Sequence, residues 1–231
     1  MNTKATANLK GDTRAGTAAL VAGIGLLVMA VVAALANFGV IANLAVPGDP
    51  AATAANLAES AELLRLAAAG LIVVAILDVV VAWGLYVVLR SVNPSLSLLG
   101  CWLRLVYAAI LAVAVNSLYD ALRAGPMDPA LTVFFLESFD TLWQVGLVIF
   151  GVHLIVVGLV AWQSGFIHWL FGGLLILAGV GYTVDGFGTL LSPDYVLGLA
   201  MFTFIGEVAF IFWLLIRGRK LPDVAGSIAE P

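Results

Sequence analysis

Residues 63 to 89 read LLRLAAAGLIVVAILDVVVAWGLYVVL, and this stretch decides the fold class. After Arg65 it carries one charge, Asp78, and it is long enough to cross the roughly 30 Å hydrocarbon core of a bilayer as a helix. Its apolar residues do not alternate with polar ones, so the period-two pattern of a membrane β-strand is missing. The stretch therefore predicts a transmembrane helix.

Five further apolar runs of similar length lie on either side of this stretch. The six predicted spans are roughly Gly16–Leu44, Leu63–Leu89, Leu96–Tyr119, Thr141–Trp162, Trp169–Leu191 and Val196–Ile216. The breaks between them are rich in Pro, Gly, Asn, Asp and Ser, which is typical of turns between helices. Asp128 can cap free N–H groups and Pro129 suits the first helical position, so the fourth helix is predicted to begin before the bilayer.

The composition of the whole chain agrees with this interpretation. Of its 231 residues, 63% are hydrophobic and 10% are charged. Soluble domains have about 45–50% and about 25%, and a soluble protein of this size cannot bury so much apolar surface. We therefore predict an all-α bundle of six transmembrane helices with the lipid bilayer as its main partner. It forms a single transmembrane domain over residues 1–231, with short tails at about 1–15 and 217–231.

The same sequence disfavours several functional classes. The net charge of −4 leaves no basic surplus for binding nucleic acid. The single cysteine, Cys101, excludes an internal disulfide and a cysteine-rich metal site. The H-E-x-x-H, G-x-S-x-G and G-x-x-x-x-G-K motifs are absent, so the sequence predicts no metal, no cofactor and no assignable catalytic residue. It leaves open whether the protein forms a homo-oligomer.

Most positively charged residues lie on one side of the predicted bundle, whereas Arg65 and Arg123 lie near helix ends on the opposite side. Counting the spans from the N-terminus places on the first side the residues Lys4, Lys10, Arg14, Arg90, Arg217, Arg219 and Lys220. Segments that face the cytoplasm carry an excess of Lys and Arg. We therefore expect a multi-pass protein of the cell (inner) membrane with both termini in the cytoplasm.

Four ionisable residues lie inside predicted spans, where each charge costs at least about 2.5–3.5 kcal/mol on insertion scales. They are Asp78, Arg104, His153 and Glu207, each on a different helix. At about 1.5 Å per residue, all four fall roughly 12–17 Å from the cytoplasmic end of their helix. Equal depth favours one shared cluster, in which Arg104 bridges Asp78 and Glu207, and either His153 or one of the acids holds a proton.

Such a cluster is compatible with three kinds of role. It can be a structural polar contact between helices, a site that binds or conducts a proton, ion or small polar ligand, or a headgroup site or catalytic centre. The leading hypothesis is a transporter-like membrane protein with a polar centre. The alternatives are an intramembrane enzyme, with His153 and an acid as general base on a lipid-like substrate, and a structural subunit of a membrane complex.

Two further patterns involve the fifth span. Tyr182 and Asp185 lie one helical turn apart, and with Asn116 of the third span they form a second, outer-side set of candidate binding residues. Small residues recur every seven positions in the fourth and fifth spans, at Gly151, Gly158, Gly172, Gly179 and Gly186. Because a seven-residue repeat keeps glycines on one helical face, the sequence predicts a tight contact between these helices or their neighbours.

Short motifs are distributed along nearly the whole chain. They are Asp78 with Trp83, Arg90-Ser-Val-Asn93, Trp102-Leu-Arg104-Leu-Val-Tyr107, Gly151-Val-His153, Gln163-Ser-Gly165-Phe166, Gly181-Tyr182-Thr-Val-Asp185, and Gly206-Glu207 before Trp213-Leu-Leu. In order and spacing, over roughly residues 14–220, they resemble a family of small prokaryotic six-helix membrane proteins known only as a domain of unknown function. The chain departs from that family at Ile167-His168, where proline is expected. The resemblance implies the fold and implies no activity.

Overall fold

Eight helices form in the part of the chain that the computed structural model describes, residues 14–192 and 194–221. They are α1 (Ala15–Gly39), α2 (Pro50–Glu59), α3 (Ala61–Leu89), α4 (Pro94–Ala124), α5 (Pro129–Gln163), α6 (Trp169–Leu191), α7 (Ala200–Thr203) and α8 (Ile205–Ile216). Within these ranges, six segments are long and apolar enough to cross a membrane, with α7 and α8 forming one of them. This confirms the predicted all-α fold with six transmembrane helices. The predicted tails, with Lys4 and Lys10, lie mostly outside the described residues.

The starts of three helices are set by cap residues. Asp49, Asn93 and Asp128 each accept a hydrogen bond from a backbone N–H in the first turn of α2, α4 and α5, and each precedes a proline. The caps satisfy N–H groups that have no partner within the helix, and proline has no N–H to satisfy. Helix α5 accordingly begins at Pro129, which confirms the predicted early start of the fourth helix.

The first membrane-crossing segment runs to Asn43 and so ends close to the predicted Leu44, although its α-helix ends earlier, and the loop after it contains a helix that was not predicted. Helix α1 ends at Gly39 rather than at Leu44, because the chain tightens into a 3₁₀ turn at Ile41–Asn43. The Asn43 side chain donates a hydrogen bond of 2.9 Å to a carbonyl in the last turn of α1, which stabilises this ending. The unpredicted helix is α2, which packs against α5.

The last span begins slightly later than predicted, at Ala200 in place of Val196. Val196 is exposed and precedes the helix, which starts at Ala200. Gly198 has a φ of 60°, a left-handed conformation that glycine adopts without a Cβ clash. The N–H of Ala200 is bonded to the side chain of Asp185 on α6, so a tertiary contact fixes the first residue of α7.

The spanning helices pack as a closed ring. Helix α1 contacts α3, α3 contacts α4, α4 contacts α5 and α5 contacts α6, and α8 closes the ring by packing against both α6 and α1. A side chain that points inward from any of these helices meets protein instead of lipid. Large apolar side chains such as Leu35, Phe38 and Leu66 are exposed on the outside, where a bilayer would cover them.

Helices α5 and α6 approach so closely that their contact has no room for side chains. A Cβ added at Gly158 would lie 2.8 Å from the Gly172 carbonyl oxygen, and one added at Gly151 would lie 2.6 Å from the Gly179 carbonyl oxygen. Such distances are shorter than real Cβ contacts, so only glycine fits without a shift. This confirms the tight contact predicted from the seven-residue repeat.

The two ends of the described chain meet at one end of the ring. A Cβ added at Gly16 would lie 2.7 Å from the Arg219 carbonyl oxygen, and one added at Gly218 would lie 3.0 Å from the Ala19 Cβ. An even number of crossings brings a chain back to the side from which it started. The first and last spans therefore have their outer ends on the same side.

Candidate functional site

A buried ion pair joins the neighbouring helices α3 and α4. Arg104 Nη2 lies 2.8 Å from Asp78 Oδ1, and the side chains are 2% and 0% exposed. The short turn before Pro94 makes the two helices antiparallel neighbours, so both side chains can enter the same part of the ring. A buried ion pair loses its hydration, and only close contact with its partner compensates for that loss.

The polar contacts of Asp78 are incomplete. Among the described residues, neither of its carboxylate oxygens has a hydrogen-bond partner, and Arg104 Nε has none either. The 2.8 Å contact is thus close in distance but poorly aligned for a hydrogen bond. Because a carboxylate can accept about four hydrogen bonds, Asp78 retains acceptor capacity in a place where unpaired polar atoms are costly.

His153 connects α5 to α4 through both of its ring nitrogens. Nδ1 lies 2.7 Å from the Gly100 carbonyl oxygen, and Nε2 lies 3.2 Å from Arg104 Nη1. Gly100 permits this approach, since a Cβ there would lie only 3.3 Å from the Val157 side chain. With both nitrogens engaged, the imidazole has no free lone pair with which to act as a general base.

The ring of Phe150 packs against the guanidinium and the imidazole. Arg104 Cζ lies 5.3 Å from the centre of the Phe150 ring, which stacks on His153 with the ring centres 5.7 Å apart. The rings of Tyr107 and Tyr182 contact Phe150 at 4.9 Å and 5.6 Å. A cation near the face of an aromatic ring is attracted by its quadrupole. Phe150 therefore helps to hold Arg104 in place.

Glu207 faces this cluster from α8 across a narrow cavity of about 10 Å³. Side chains from all six spanning segments line the cavity, and Glu207, Arg104 and His153 are its polar members. Tyr182 on α6 lies next to Glu207, so its phenol group interacts with the carboxyl group. In the part of the chain that is described, Arg104 pairs with Asp78 and forms no ion pair with Glu207. The predicted double bridge is therefore wrong for its Glu207 half.

Asp78, Arg104, His153 and Glu207, with the side chains packed against them, form what we call the polar centre. The chemistry open to this centre is hydrogen bonding and proton transfer. Asp78 and Glu207 can titrate, whereas the guanidinium of Arg104 stays charged. Within residues 14–192 and 194–221, no three His, Cys, Asp or Glu side chains converge in a way that could hold a metal ion. The cavity has room for about one water molecule.

The second set of candidate residues divides among three environments. Tyr182 packs in the centre, as described above. Asp185 accepts hydrogen bonds of 2.5 Å from the Tyr195 hydroxyl and from the first N–H of α7, and so ties the segment after α6 to that helix. Asn116 donates a 2.7 Å hydrogen bond to Asp120, one turn further along α4. The described contacts therefore do not join the three residues into one site.

The sequence analysis did not assign three members of the centre to a site, namely Gly100, Tyr107 and Phe150, although Tyr107 belongs to one of the motifs. Phe150 precedes His153 by three residues and Tyr107 follows Arg104 by three, a spacing that places side chains on one helical face. Gly100 precedes Arg104 by one turn. This spacing from an ionisable residue is the signal that could have found all three.

A ring of six apolar helices around an internal ionisable cluster defines a polytopic helical membrane protein with a polar centre. Residues 21–218 match the family described as a domain of unknown function, DUF4386, and the chain belongs to that family. It is similar to an uncharacterized protein of Archaeoglobus fulgidus, with 36% identity over 158 residues that cover 68% of this chain and 87% of that protein. The resemblance that the sequence motifs indicate is confirmed by these matches. No solved structure matches the chain.

Proposed function

We propose that the polar centre binds a proton and exchanges it with water on the two sides of the membrane, so that the protein is proton-linked and transporter-like. The observation that carries this proposal is the position of Glu207. It lines the narrow cavity beside Arg104 and His153, while the partner of Arg104 is already Asp78. The centre therefore holds one carboxylate more than the single charge of its guanidinium can neutralise.

The charge balance supports this proposal. Two ionised carboxylates and one guanidinium give the centre a net charge of −1 when His153 is neutral. An unbalanced charge is costly in a medium of low dielectric constant, and one bound proton removes it. A centre that alternates between a neutral state and a singly negative state is what a proton-linked mechanism requires.

The size of the cavity favours a proton over a larger cargo. Pockets that enclose small organic ligands measure about 300–1,000 Å³, whereas this cavity measures about 10 Å³. One water molecule fits in that space. Among the proton, ion and small polar ligand that the sequence left open, the proton is the cargo that needs no larger space.

Tyr182 supplies a hydrogen-bonding group between the centre and one end of the ring. Its hydroxyl can donate and accept at the same time, and it lies next to Glu207. Asp185 follows one turn further along α6. The two side chains provide a polar route from Glu207 towards the end of α6 that lies next to the α7 segment.

Location and orientation follow from the positive charges. We propose the cell (inner) membrane with both termini in the cytoplasm, because Arg90, Arg217, Arg219 and Lys220 lie on the side where the first and last spans meet. Fusions of a fluorescent protein to either end should fluoresce in cells, and fusions of alkaline phosphatase should be inactive. The reverse pattern would overturn this orientation.

The proposal is tested by proton flux into liposomes that contain the purified protein and a trapped pH-sensitive dye. After an external acid pulse, with the membrane potential clamped, wild-type liposomes should acidify faster than protein-free ones. Glu207→Gln should return the rate to nearly the protein-free value, because an amide cannot bind the proton. Glu137→Gln is the matched control, since Glu137 is an exposed acid on a groove at the surface of α5.

Two outcomes would contradict the proposed function. One is a wild-type rate equal to that of protein-free liposomes. The other is a Glu207→Gln protein that elutes as a folded species and still conducts protons at the wild-type rate. Both comparisons require that the control variant Glu137→Gln conducts protons at the wild-type rate.

A further inference from the structure

The surroundings of His153 fix its protonation state through geometry. The Gly100 carbonyl oxygen can only accept a hydrogen bond, so Nδ1, at 2.7 Å, has to carry a hydrogen and donate it. The Arg104 guanidinium can only donate, so Nε2, at 3.2 Å, has to be bare and accept. A neutral imidazole has one nitrogen-bound hydrogen, and these two partners assign it to Nδ1.

A second proton on this imidazole would break the arrangement. Nε2–H would then face the N–H group of Arg104, donor against donor and cation against cation, in a site where His153 is 1% exposed. Phe150 covers the ring on one face, so the imidazole has no solvent into which it could rotate. The ring is therefore held as a neutral acceptor for Arg104.

The ionisable groups that face His153 come from four other helices. They are Asp78 of α3, Arg104 and Tyr107 of α4, Tyr182 of α6 and Glu207 of α8. Asp78 is paired with Arg104, and the two tyrosines are neutral phenols in this apolar region. Glu207 is the acid that lies at the cavity and has no guanidinium paired with it among the described residues.

From these contacts we infer that His153 is a positioning residue, a neutral support that holds Arg104 against Asp78, and that the proton of the centre is bound by Glu207. The assignment to Glu207 rests on the proposed function, whereas the neutral state of His153 does not. The sequence left open whether His153 or one of the acids holds the proton, and this assignment excludes His153. Binding the proton at Glu207 leaves every hydrogen bond of His153 in place.

The first test is a nitrogen NMR measurement on the full chain in lipid with ¹⁵N-labelled histidine. His168, the second of two histidines, is replaced by Asn, which can also cap the start of α6, where His168 Nδ1 accepts a hydrogen bond from Leu170. The one remaining imidazole should show a protonated Nδ1 and a bare Nε2 at every pH between about 5 and 8. A doubly protonated ring within that range, or a proton on Nε2, would overturn the inference.

The second test compares two substitutions of His153. His153→Asn keeps an N–H at the position of Nδ1 to donate to Gly100 and presents a neutral amide oxygen, one bond short of Nε2, towards Arg104, but it cannot bind a proton. His153→Leu keeps neither group. We expect a several-fold loss of folded yield for Leu, and for Asn a yield close to the wild type with a reduced flux that keeps the wild-type pH dependence.

The two tests separate this inference from the proposed function. A folded His153→Asn protein whose flux is abolished, or whose pH profile is displaced, would overturn the assignment of the proton to Glu207. A neutral His153 in a protein that shows no flux at all would leave the positioning role standing and remove the proposed function. A neutral His153 with its hydrogen on Nδ1, together with a proton flux that is lost in Glu207→Gln, supports both this inference and the proposed function.

Discussion

Two carboxylate–guanidinium pairs of this protein have similar N–O distances and different surroundings. Arg104 lies 2.8 Å from Asp78 at 2% and 0% exposure, and Arg65 lies 2.5 Å from Glu62 at 54% and 87% exposure. Water screens the exposed pair, so its net contribution is about 0–1 kcal/mol. The buried pair cannot recover hydration if one partner is lost. Exposure, and not the N–O distance, determines how much stability is lost when each pair is broken.

The two pairs also differ in what they can do. An exposed carboxylate exchanges protons with bulk water and transmits nothing to the rest of the protein. The carboxylates of the centre are coupled to a fixed guanidinium, to the imidazole of His153 and to a cavity the size of one water. Because of this coupling, the binding of a proton at Glu207 changes the charge balance of the whole centre. The following variants test the contrast between the buried and the exposed pair.

The largest effect is expected for Asp78→Leu. It leaves the Arg104 charge buried without a partner, and breaking a buried pair in this way costs about 3–5 kcal/mol. Folded yield and the midpoint of unfolding in detergent should both fall sharply. The double variant Asp78→Leu with Arg104→Met should recover most of the lost stability, because apolar side chains can replace such a pair at little cost. A double variant that is no more stable than Asp78→Leu alone would contradict the conclusion that the lost stability comes from an unpaired Arg104.

A smaller effect is expected for Gly158→Ala. The added methyl would lie 2.8 Å from the Gly172 carbonyl oxygen and 2.9 Å from Ile176 N, so α5 and α6 have to separate. Overpacking of this kind costs about 1–3 kcal/mol. Gly39→Ala is the control, since no atom lies within 4 Å of a Cβ at that position. Equal unfolding midpoints for the two variants would contradict the close helix contact.

A smaller effect still is expected for Tyr195→Phe, which removes the hydroxyl that donates to Asp185. The hydrogen bond to Asp185, with some burial and the negative charge of Asp185, raises the pKa of Tyr195 to about 12. The ordinary tyrosine pKa is about 10, so the folded state favours the neutral phenol. The stabilisation is complete below that ordinary value and is lost as the pH rises through the raised one.

The measurement for Tyr195→Phe is therefore a pair of unfolding series against pH. The difference in Tm between wild type and variant should be constant up to about pH 10 and should shrink as the pH approaches about 12. A difference that does not change with alkaline pH would show that the hydroxyl is not bonded to a carboxylate. Substitution at an exposed tyrosine without such a bond gives no pH-dependent difference.

The smallest effect is expected for Glu62→Gln, which breaks the exposed pair with Arg65. Surface substitutions of this kind stay within about 0.5 kcal/mol. Its unfolding midpoint should match the wild type within error and should respond little to salt. A loss comparable to that of Asp78→Leu would remove the contrast on which this comparison rests.

The sequence predicts the spans and caps well because both are local properties. Hydropathy identifies each crossing, and Asp128 caps its helix as predicted, with a side chain only a few residues from the N–H groups it binds. The equal depth of the four ionisable residues also points to their shared region. Depth is set by distance along a helix, which the sequence contains directly.

Features that depend on the rotation and packing of helices could not be predicted in the same way. The choice of Asp78 over Glu207 as the partner of Arg104 depends on how α3 and α8 are turned about their axes. The start of the last span depends on a hydrogen bond from Ala200 to Asp185, a contact between separate helices. No local pattern of residues contains this information.

The central claim, that Glu207 binds the proton of a centre in which His153 stays neutral, is tested most directly by infrared spectroscopy of the purified protein in lipid. A protonated carboxyl group has a C=O band that an ionised carboxylate lacks. Near neutral pH, the account predicts such a band in the wild type and in the control Glu137→Gln, and its loss in Glu207→Gln. A wild type without the band, or a Glu207→Gln protein that keeps it unchanged, would contradict the account.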